Sequence, residues 1–329
     1  MIPSHPLRLP ARLVLAGLVL AASLPCSAQL TLQLKPAKKE LVAFEPVRML
    51  VSITNNSGQS ILLARSGGAE DAWLAFHVTR DNGEMLQPSG SLAGIQPMML
   101  KPGQSIERTI DVGLLYPLSD FGGYVVRAQA WCPADNAWAA SNNVRINVVS
   151  ARTLWSQSFG VPKGRDGGGS SRTFRLQQFR DYDGSKLYLR LEDRASGMVL
   201  ACYPIGTVME MHPPAQGVDS QGNLHVLFVN APSISTHIVI DSSGRPVARS
   251  LFRDVVGNRP VLERDSTGGL VVLGGRTFDP AAEAAQRLIV RRLSERPPGL
   301  LALIREALDK PKQAKPGGNT IPPVPKAGQ

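Results

Sequence analysis

The sequence predicts an all-β chain of two domains, in which an antiparallel β-sandwich precedes a β-meander or partial-propeller-like domain, followed by a short helix and a disordered tail. Short apolar segments separated by turn residues recur about every 8 to 15 residues in the first half. The chain has 31 Gly and 26 Pro but only 5% aromatic residues, a balance that suits many short strands and turns. In the second half, an Asp-Ser-x-Gly sequence occurs three times.

Residues 1–28 have the pattern of a signal peptide. Arg8 and Arg12 form a basic segment, residues 13–24 are apolar, and Cys26-Ser27-Ala28 places small residues before a cleavage point at Gln29. The apolar run is too short to span a bilayer, although an uncleaved anchor is the alternative. We therefore expect an exported protein, periplasmic or extracellular, whose mature chain has no transmembrane anchor.

The positive charge does not indicate a nucleic-acid-binding protein. The formal net charge is +10, and four lysines lie in a Pro-rich tail without acidic residues (Lys310, Lys312, Lys315 and Lys326). Both signs are interspersed elsewhere, with no dense basic stripe carrying interleaved aromatic residues. The charge fits weak attraction to an acidic cell envelope.

The first domain, residues 29–150, is predicted from apolar segments at 30–34, 47–54, 73–78, 106–112, 124–130 and 144–149. Asp81-Asn82-Gly83-Glu84 is a hairpin signal that returns the chain through Met85-Leu86. About seven short strands in roughly 120 residues are typical of an antiparallel β-sandwich.

Part of this domain resembles bacterial immunoglobulin-like modules. The similar residues are 100–105 (LKPGQS), 110–112 (IDV), Tyr116, 123–126 (GYVV) and 141–148 (SNNVRINV). In those modules a Pro-Gly turn precedes one strand and a G-x-Y-x-V strand follows. The resemblance implies a tyrosine-corner role for Tyr124, its hydroxyl bonded to nearby backbone, while Val126 stands where antibody-type domains have a core cysteine. It implies no activity, since such modules serve as spacers, adhesins, inhibitors and accessory domains.

The second domain, residues 176–295, is predicted from its repeated turns. Asp-Ser-x-Gly occupies 219–222, 241–244 and 265–268, each before an apolar strand or its start. Asp accepts local backbone hydrogen bonds and Gly takes a positive φ, so each turn predicts a hairpin. A period of about 45 residues resembles β-propeller blades, but only about three blades fit where propellers normally need at least four. The sequence leaves two architectures possible for this domain. It could be a twisted meander packed on the first domain, or a set of propeller blades that closes by other means.

Composition predicts the remaining boundaries. Residues 151–175 include the Gly-rich segment 164–171 (GRDGGGSS) and are interpreted as an interdomain linker. Asp279-Pro280 has the pattern of a helix start, and the leucines of residues 296–310 predict a second short helix. Residues 311–329, rich in Pro and Lys without apolar periodicity, are expected to be disordered.

Two cysteines follow the predicted leader, Cys132 and Cys202. In an oxidising compartment they form a candidate disulfide that would join the two domains. Two separate thiols are the alternative, because sequence separation does not give the distance between Cα atoms.

The sequence contains no H-E-x-x-H, G-x-S-x-G or C-x-x-C motif and no paired metal-ligand spacing. The segment GRDGGGSS resembles a phosphate loop, but Ser170 stands where the phosphate-binding lysine would be. Glu210, His212 and Asp219 could form a metal cluster, although strand histidines on wetter faces are the simpler interpretation. We expect no metal, no cofactor and no enzymatic activity; an unrecognised hydrolase using Glu192, Asp193 or Glu210 is a minor alternative.

Trp131 and Trp138 are the candidate ligand-binding residues. They bracket a predicted hairpin loop, where indoles could stack on sugar rings or on a partner's side chains, or fold back over the core. The expected function is that of an exported, non-enzymatic interaction or scaffolding protein of the cell envelope, with an envelope protein or glycan as partner. A carbohydrate-binding module using these tryptophans and a protease inhibitor are the alternatives.

Overall fold

The computed structural model describes residues 29–64, 72–92, 95–133 and 135–285. The predicted signal peptide, the helix predicted at 296–310 and the tail at 311–329 lie outside these ranges. The described chain is all-β apart from a 3-10 turn at Val112–Leu114 and a helical turn at 280–285, which confirms the predicted fold class.

The described part of the first half contains ten strands. They are β1 (Leu30–Pro36), β2 (Glu40–Val42), β3 (Arg48–Asn55), β4 (Ile61–Leu63), β5 (Leu74–Arg80), β6 (Met98–Leu100), β7 (Ser105–Asp111), β8 (Gly122–Cys132), β9 (Ala137–Ala140) and β10 (Val144–Val149). All six predicted segments are strands, and the predicted hairpin returns at Gly83, whose φ is 87°. The short strands β2, β4, β6 and β9 were not predicted.

These strands enclose one core between two sheets. One sheet has the order β1-β3-β7; the other has the order β2-β10-β8-β5, with β9 paired beside β8. Buried side chains from both sheets, including Met49, Trp73 and Tyr124, pack in a single cluster. Because β1 pairs with β3 while β2 runs parallel to β10, the N-terminal segment crosses from one sheet to the other.

From residue 150 to residue 285 the structure has eleven strands. They are β11 (Arg152–Gly160), β12 (Ser171–Asp181), β13 (Gly184–Asp193), β14 (Val199–Thr207), β15 (Ala215–Val218), β16 (Leu224–Ala231), β17 (Ile234–Ile240), β18 (Pro246–Arg253), β19 (Val261–Arg264), β20 (Leu270–Leu273) and β21 (Arg276–Thr277). Sheet I is β11-β12-β13-β14, sheet II is β15-β16-β17-β18-β21, and β19-β20 form a two-stranded ribbon. Neighbours along the chain are neighbours in each sheet, as in a meander, except that β21 pairs with β18 after the ribbon.

The three layers stack in chain order. Facing side chains of sheets I and II, among them Phe174, Leu189 and Phe228, form one core. The ribbon packs on the opposite face of sheet II, where Leu270 lies against Gly217 and Arg264 donates to the Val218 carbonyl (2.9 Å).

The predicted linker at 151–175 is wrong. β11 and the start of β12 pair in register from Arg152 to Gly160, so they are the first strands of sheet I. The Gly-rich segment is the loop of that hairpin, and Arg165 Nη1 donates from it to Asn223 Oδ1 (2.9 Å). The second structural unit therefore begins directly after β10.

All three Asp-Ser-x-Gly sequences form hairpin turns, as predicted. In each, the glycine N–H donates to the carbonyl of the aspartate, and the glycines Gly222, Gly244 and Gly268 have φ of 75°, 83° and 83°. The aspartate Oδ1 also accepts two backbone N–H bonds within the turn. A short turn ending in a left-handed glycine is a standard three-residue hairpin.

The two halves pack directly against each other. Val42 of β2, Tyr188 of β13 and Cys202 of β14 form a small buried cluster. Lys38 is paired with Glu45 and donates to the Tyr188 hydroxyl (3.2 Å), which ties the first half to sheet I. Among the described residues, no helix has the length and apolarity needed to cross a membrane.

Candidate functional site

The ribbon ends the stack of sheets with an apolar outer face. Val261, Val271 and Leu273 are 46%, 39% and 48% exposed, although they belong to a paired two-stranded sheet. Their neighbours Leu262 and Val272 alternate to the side that faces sheet II and are less exposed. The outer side of the ribbon is therefore mainly apolar and left open by the described chain, with one exposed charged residue, Glu263, opposite Val271.

The ribbon also has fewer strands than the layers before it. Sheet I has four strands and sheet II has five, whereas the third layer has two. The predicted third repeat extends past residue 285, so its last part lies outside the described residues. Within the described chain, both outer edges of the ribbon keep backbone groups available for another strand.

Trp131 and Trp138 are directly opposite each other on β8 and β9. Their ring centroids are 5.5 Å apart and the rings are inclined by 70°, an edge-to-face pair. Both are half-buried, and Trp131 also packs against the margin of the sandwich core. Sequence reasoning therefore placed them together correctly, although they form a corner rather than a flat double platform.

The tryptophans share the outer face of their sheet with several polar side chains. Residues 124, 126, 128, 130 and 132 of β8 point into the core, so the alternate residues Arg127, Gln129 and Trp131 point outward. His77 of β5 lies opposite Arg127, and its Nε2 is 2.9 Å from Gln129 Oε1. Sequence reasoning missed these partners because cross-strand register is not visible in the sequence alone.

Asp219, His225 and His237 form a hydrogen-bonded chain in sheet II. His225 Nε2 lies 3.2 Å from Asp219 Oδ2, and His225 Nδ1 lies 3.2 Å from His237 Nε2. Burial alone would raise the pKa of Asp219, but hydrogen bonds from Asn223 and other donors lower it below its ordinary value. For His237, burial and the nearby His225 both act in the same direction and lower the pKa to about 4. The described residues include no group of His, Cys, Asp and Glu arranged to hold a metal.

The other candidate carboxylates are already engaged. Glu192 lies between Arg175 (3.2 Å) and Arg190 (2.6 Å). Asp193 accepts the N–H of Ser196 (2.9 Å) within the β13–β14 turn, and Glu210 lies 3.7 Å from Arg180 at the surface. The structure therefore does not bring Glu210 to Asp219, which bonds His225 instead.

Cys132 and Cys202 do not form the candidate disulfide. Cys132 lies in the sandwich core, whereas Cys202 lies at the junction with its Sγ 3.5 Å from the Ala43 carbonyl. Burial raises the pKa of the Cys202 thiol to about 12. The halves are joined by packing rather than by a covalent bond.

Tyr124 is buried, and its hydroxyl donates to the Asp120 carbonyl (2.8 Å), the kind of backbone contact that the resemblance implied.

A groove at the junction of the two halves was not anticipated from the sequence. An open groove of about 400 Å³ lies at the junction of the two halves, with Phe44, Leu114 and Leu200 exposed along it. Arg190 lies over the Phe44 ring at 4.1 Å, so part of this groove is filled by a contact between the halves.

Comparison with known proteins identifies no relative that carries a function. No protein family and no curated protein matches the chain. Among solved structures, the sporulation control protein Spo0M from Bacillus subtilis is similar at 10% identity and a TM-score of 0.24, covering 53% of this chain and 83% of its own. The periplasmic chaperone SfaE is similar at 12% identity and a TM-score of 0.20, covering 66% of this chain and 98% of its own. Likeness at this level supports no argument about either fold or function.

Proposed function

We propose that this is an exported, non-enzymatic interaction protein of the cell envelope that binds a partner protein on the outer face of the ribbon. The observation that carries the proposal is the exposure of Val261, Val271 and Leu273 on the last layer of the stack. Large exposed apolar patches on folded domains are characteristic of interaction surfaces.

The sequence of β20 supports this proposal. Its four residues, Leu270–Leu273, are all apolar, a composition typical of strands that are buried on both faces. Sheet II covers one face only. A strand exposed to water on its other face would instead alternate apolar and polar residues, as β10 does with its outward Arg145 and Asn147.

The free edges of the ribbon indicate how a partner could bind. An extended segment that pairs with β19 or β20 would satisfy the open backbone groups and cover the apolar side chains at the same time. Main-chain hydrogen bonds would contribute affinity, and contacts with the Val261, Val271 and Leu273 side chains would contribute specificity. If the partner added one strand at each edge of the ribbon, the third layer would have four strands, the same number as sheet I.

The proposals of export and of an immunoglobulin-like first domain rest on other observations. Export rests on the leader pattern of residues 1–28. The immunoglobulin-like assignment is supported by the order of β1, β3 and β7 against β5, β8 and β10, and by the contact of Tyr124 with the Asp120 carbonyl. Such a domain would serve as the support that presents the stacked sheets.

Photo-crosslinking tests the proposed surface. The tagged protein carries a photoreactive phenylalanine at position 271 and is irradiated in envelope extract; a control places the same group at Met85, which is 58% exposed on the sandwich. We expect a defined partner band from position 271 only. A crosslink from position 271 to residues 286–329 of the same chain, or the same bands from both positions, would refute the proposal.

A charge substitution provides the matched biochemical test. Val271→Glu puts a carboxylate on the outer face, and Val247→Glu puts one at an exposed position of β18. We expect Val271→Glu to abolish capture of the crosslinked partner and Val247→Glu to leave it unchanged. Equal capture by both variants would exclude the ribbon as the binding surface.

A further inference from the structure

We propose that a cavity at one end of sheets I and II binds a free apolar α-amino acid. The cavity has a volume of about 210 Å³ and lies between the start of β11, the segment 208–214 that joins β14 to β15, and β15 itself. Its lining combines apolar side chains with a cation and an anion. The site is separate from the outer face of the ribbon, and the inference does not depend on the proposed function.

The walls of the cavity are mainly apolar. Leu154, Val208, Met209 and Pro213 line it, and the first two also belong to the packing between sheets I and II. Small-molecule sites usually have such walls, with a few polar groups that fix the orientation of the ligand. This cavity is smaller than those that bind drug-sized molecules, so it suits a compact ligand with one short apolar side chain.

Arg152 supplies the positive charge of the cavity. Its Nη2 donates to Gln178 Oε1 (2.6 Å), and Gln178 Nε2 donates to Ser185 Oγ (2.6 Å), so this chain of hydrogen bonds orients the guanidinium. In the part of the chain that the structure describes, no carboxylate lies within ion-pair distance of Arg152. An arginine in this state suits a ligand carboxylate, which it can bind with two parallel hydrogen bonds.

Glu210 and Gln216 supply acceptors in the same cavity. The ion-pair partner of Glu210, Arg180, lies 3.7 Å away, beyond hydrogen-bond distance, and both side chains are exposed. Such a surface pair contributes little, so a ligand ammonium can replace it. Gln216 is opposite Val226 and therefore points toward sheet I, and its Oε1 is buried without a donor among the described residues. A buried acceptor without a donor is unfavourable, and a ligand N–H would satisfy it.

The two charges together determine the class of ligand. Arg152 and Glu210 line one cavity without pairing with each other. A simple carboxylic acid would leave the acceptors of Glu210 and Gln216 without a donor, and a simple amine would leave Arg152 without an acceptor. An amino acid carries both groups. A more open cavity of about 610 Å³ shares Arg152, Gln178 and Glu210 with this one and provides a path from solvent.

Isothermal titration calorimetry of the full chain with L-leucine, 4-methylpentanoate and 3-methylbutylamine tests the proposal. The last two molecules keep the apolar part of leucine but lack its amino group and its carboxylate, respectively. We expect leucine to bind about tenfold or more tightly than either, because each loses a charge-assisted hydrogen bond. Arg152→Gln should weaken leucine binding to the same degree and leave the affinity for the amine unchanged. Glu210→Gln should weaken leucine binding and leave the affinity for 4-methylpentanoate unchanged.

Two further variants separate a lost contact from a lost fold. Arg108→Gln removes an exposed arginine from β7 of the sandwich and should leave leucine binding unchanged. Gln216→Leu removes the buried acceptor, so it should weaken leucine binding without lowering the thermal unfolding midpoint of the free protein.

Four results would overturn the proposal. They are the absence of leucine binding, equal affinities for the three molecules, equal losses in Arg108→Gln and Arg152→Gln, and binding of the peptide Leu-Gly-Gly without binding of leucine. Crosslinking from position 271 should be unchanged in Arg152→Gln, so failure here is separable from failure at the ribbon.

Discussion

The repeated hairpin turns allow a backbone effect to be separated from a packing effect. Gly244 and Gly268 have the same φ, 83°, and occupy the same position in turns with the same hydrogen bonds. A Cβ added at Gly268 would meet only Ser220, at 3.7 Å. A Cβ added at Gly244 would lie 2.8 Å from the Ala201 Cβ and 3.2 Å from Leu191 Cδ2, because this turn of sheet II packs on sheet I.

The two alanine substitutions should therefore differ in cost. Placing a residue with a Cβ in the left-handed region costs about 1–2 kcal/mol at either position. At Gly244 the contact with Ala201 adds an overpacking cost of about 1–3 kcal/mol, because a methyl group against a paired strand cannot move aside. We expect Gly268→Ala to lose about 1–2 kcal/mol and Gly244→Ala about 2–5 kcal/mol.

Calorimetric or urea unfolding of the two variants measures this difference. At about 3–6 °C per kcal/mol for a unit of this size, Gly268→Ala should lower Tm by several degrees and Gly244→Ala by roughly twice as much. The double variant Gly244→Ala/Ala201→Gly removes the clashing methyl and should recover the excess. Equal losses for the two single variants, or no recovery in the double variant, would refute the argument that sheet I constrains this turn.

Two further predictions concern titratable groups. Burial and His225 lower the pKa of His237 to about 4. The contribution of His237 to the free energy of unfolding is therefore complete above its ordinary pKa of 6.5 and is lost as pH falls toward 4. His237→Gln should flatten the dependence of unfolding free energy on pH in this range, and an unchanged dependence would exclude His237 as its cause. In a chain beginning at Gln29, Cys132 and Cys202 should react with a thiol reagent only after unfolding, because both are buried and burial raises the pKa of Cys202 to about 12. Rapid labelling of the native protein, or a thermal unfolding midpoint that falls when reductant is added, would contradict this.

Local patterns in the sequence were sufficient to predict the long strands of the first half. β1 and β10 alternate buried and exposed residues, and their apolar spacing is visible in the sequence. The Asp-Ser-x-Gly turns were equally predictable, since their hydrogen bonds connect residues at most four apart. Strands of three residues such as β4 carry too few residues for a period, and it is pairing with β6 that stabilises them.

The errors arose where distant contacts decide the structure. Residues 164–171 have the composition of a linker, but the strands on both sides pair and the Arg165–Asn223 bond holds the loop against sheet II. Asp219 bonds His225, six residues away, and it is the register of β16 and β17 that places His237 beside His225. The polar neighbours of the tryptophans depended in the same way on the register of β5 and β8.

Burial and composition disagree in the last layer of the stack. β13 and β16, in the middle layers, are mostly buried, because each sheet is covered on both faces. β19 and β20 have no buried residue, yet β20 has the apolar composition of a covered strand. Solubility alone would favour polar residues on an exposed end layer, as the capping repeats of stacked proteins show. The proposed partner protein would cover Val261, Val271 and Leu273 and leave the layers beneath the ribbon unchanged.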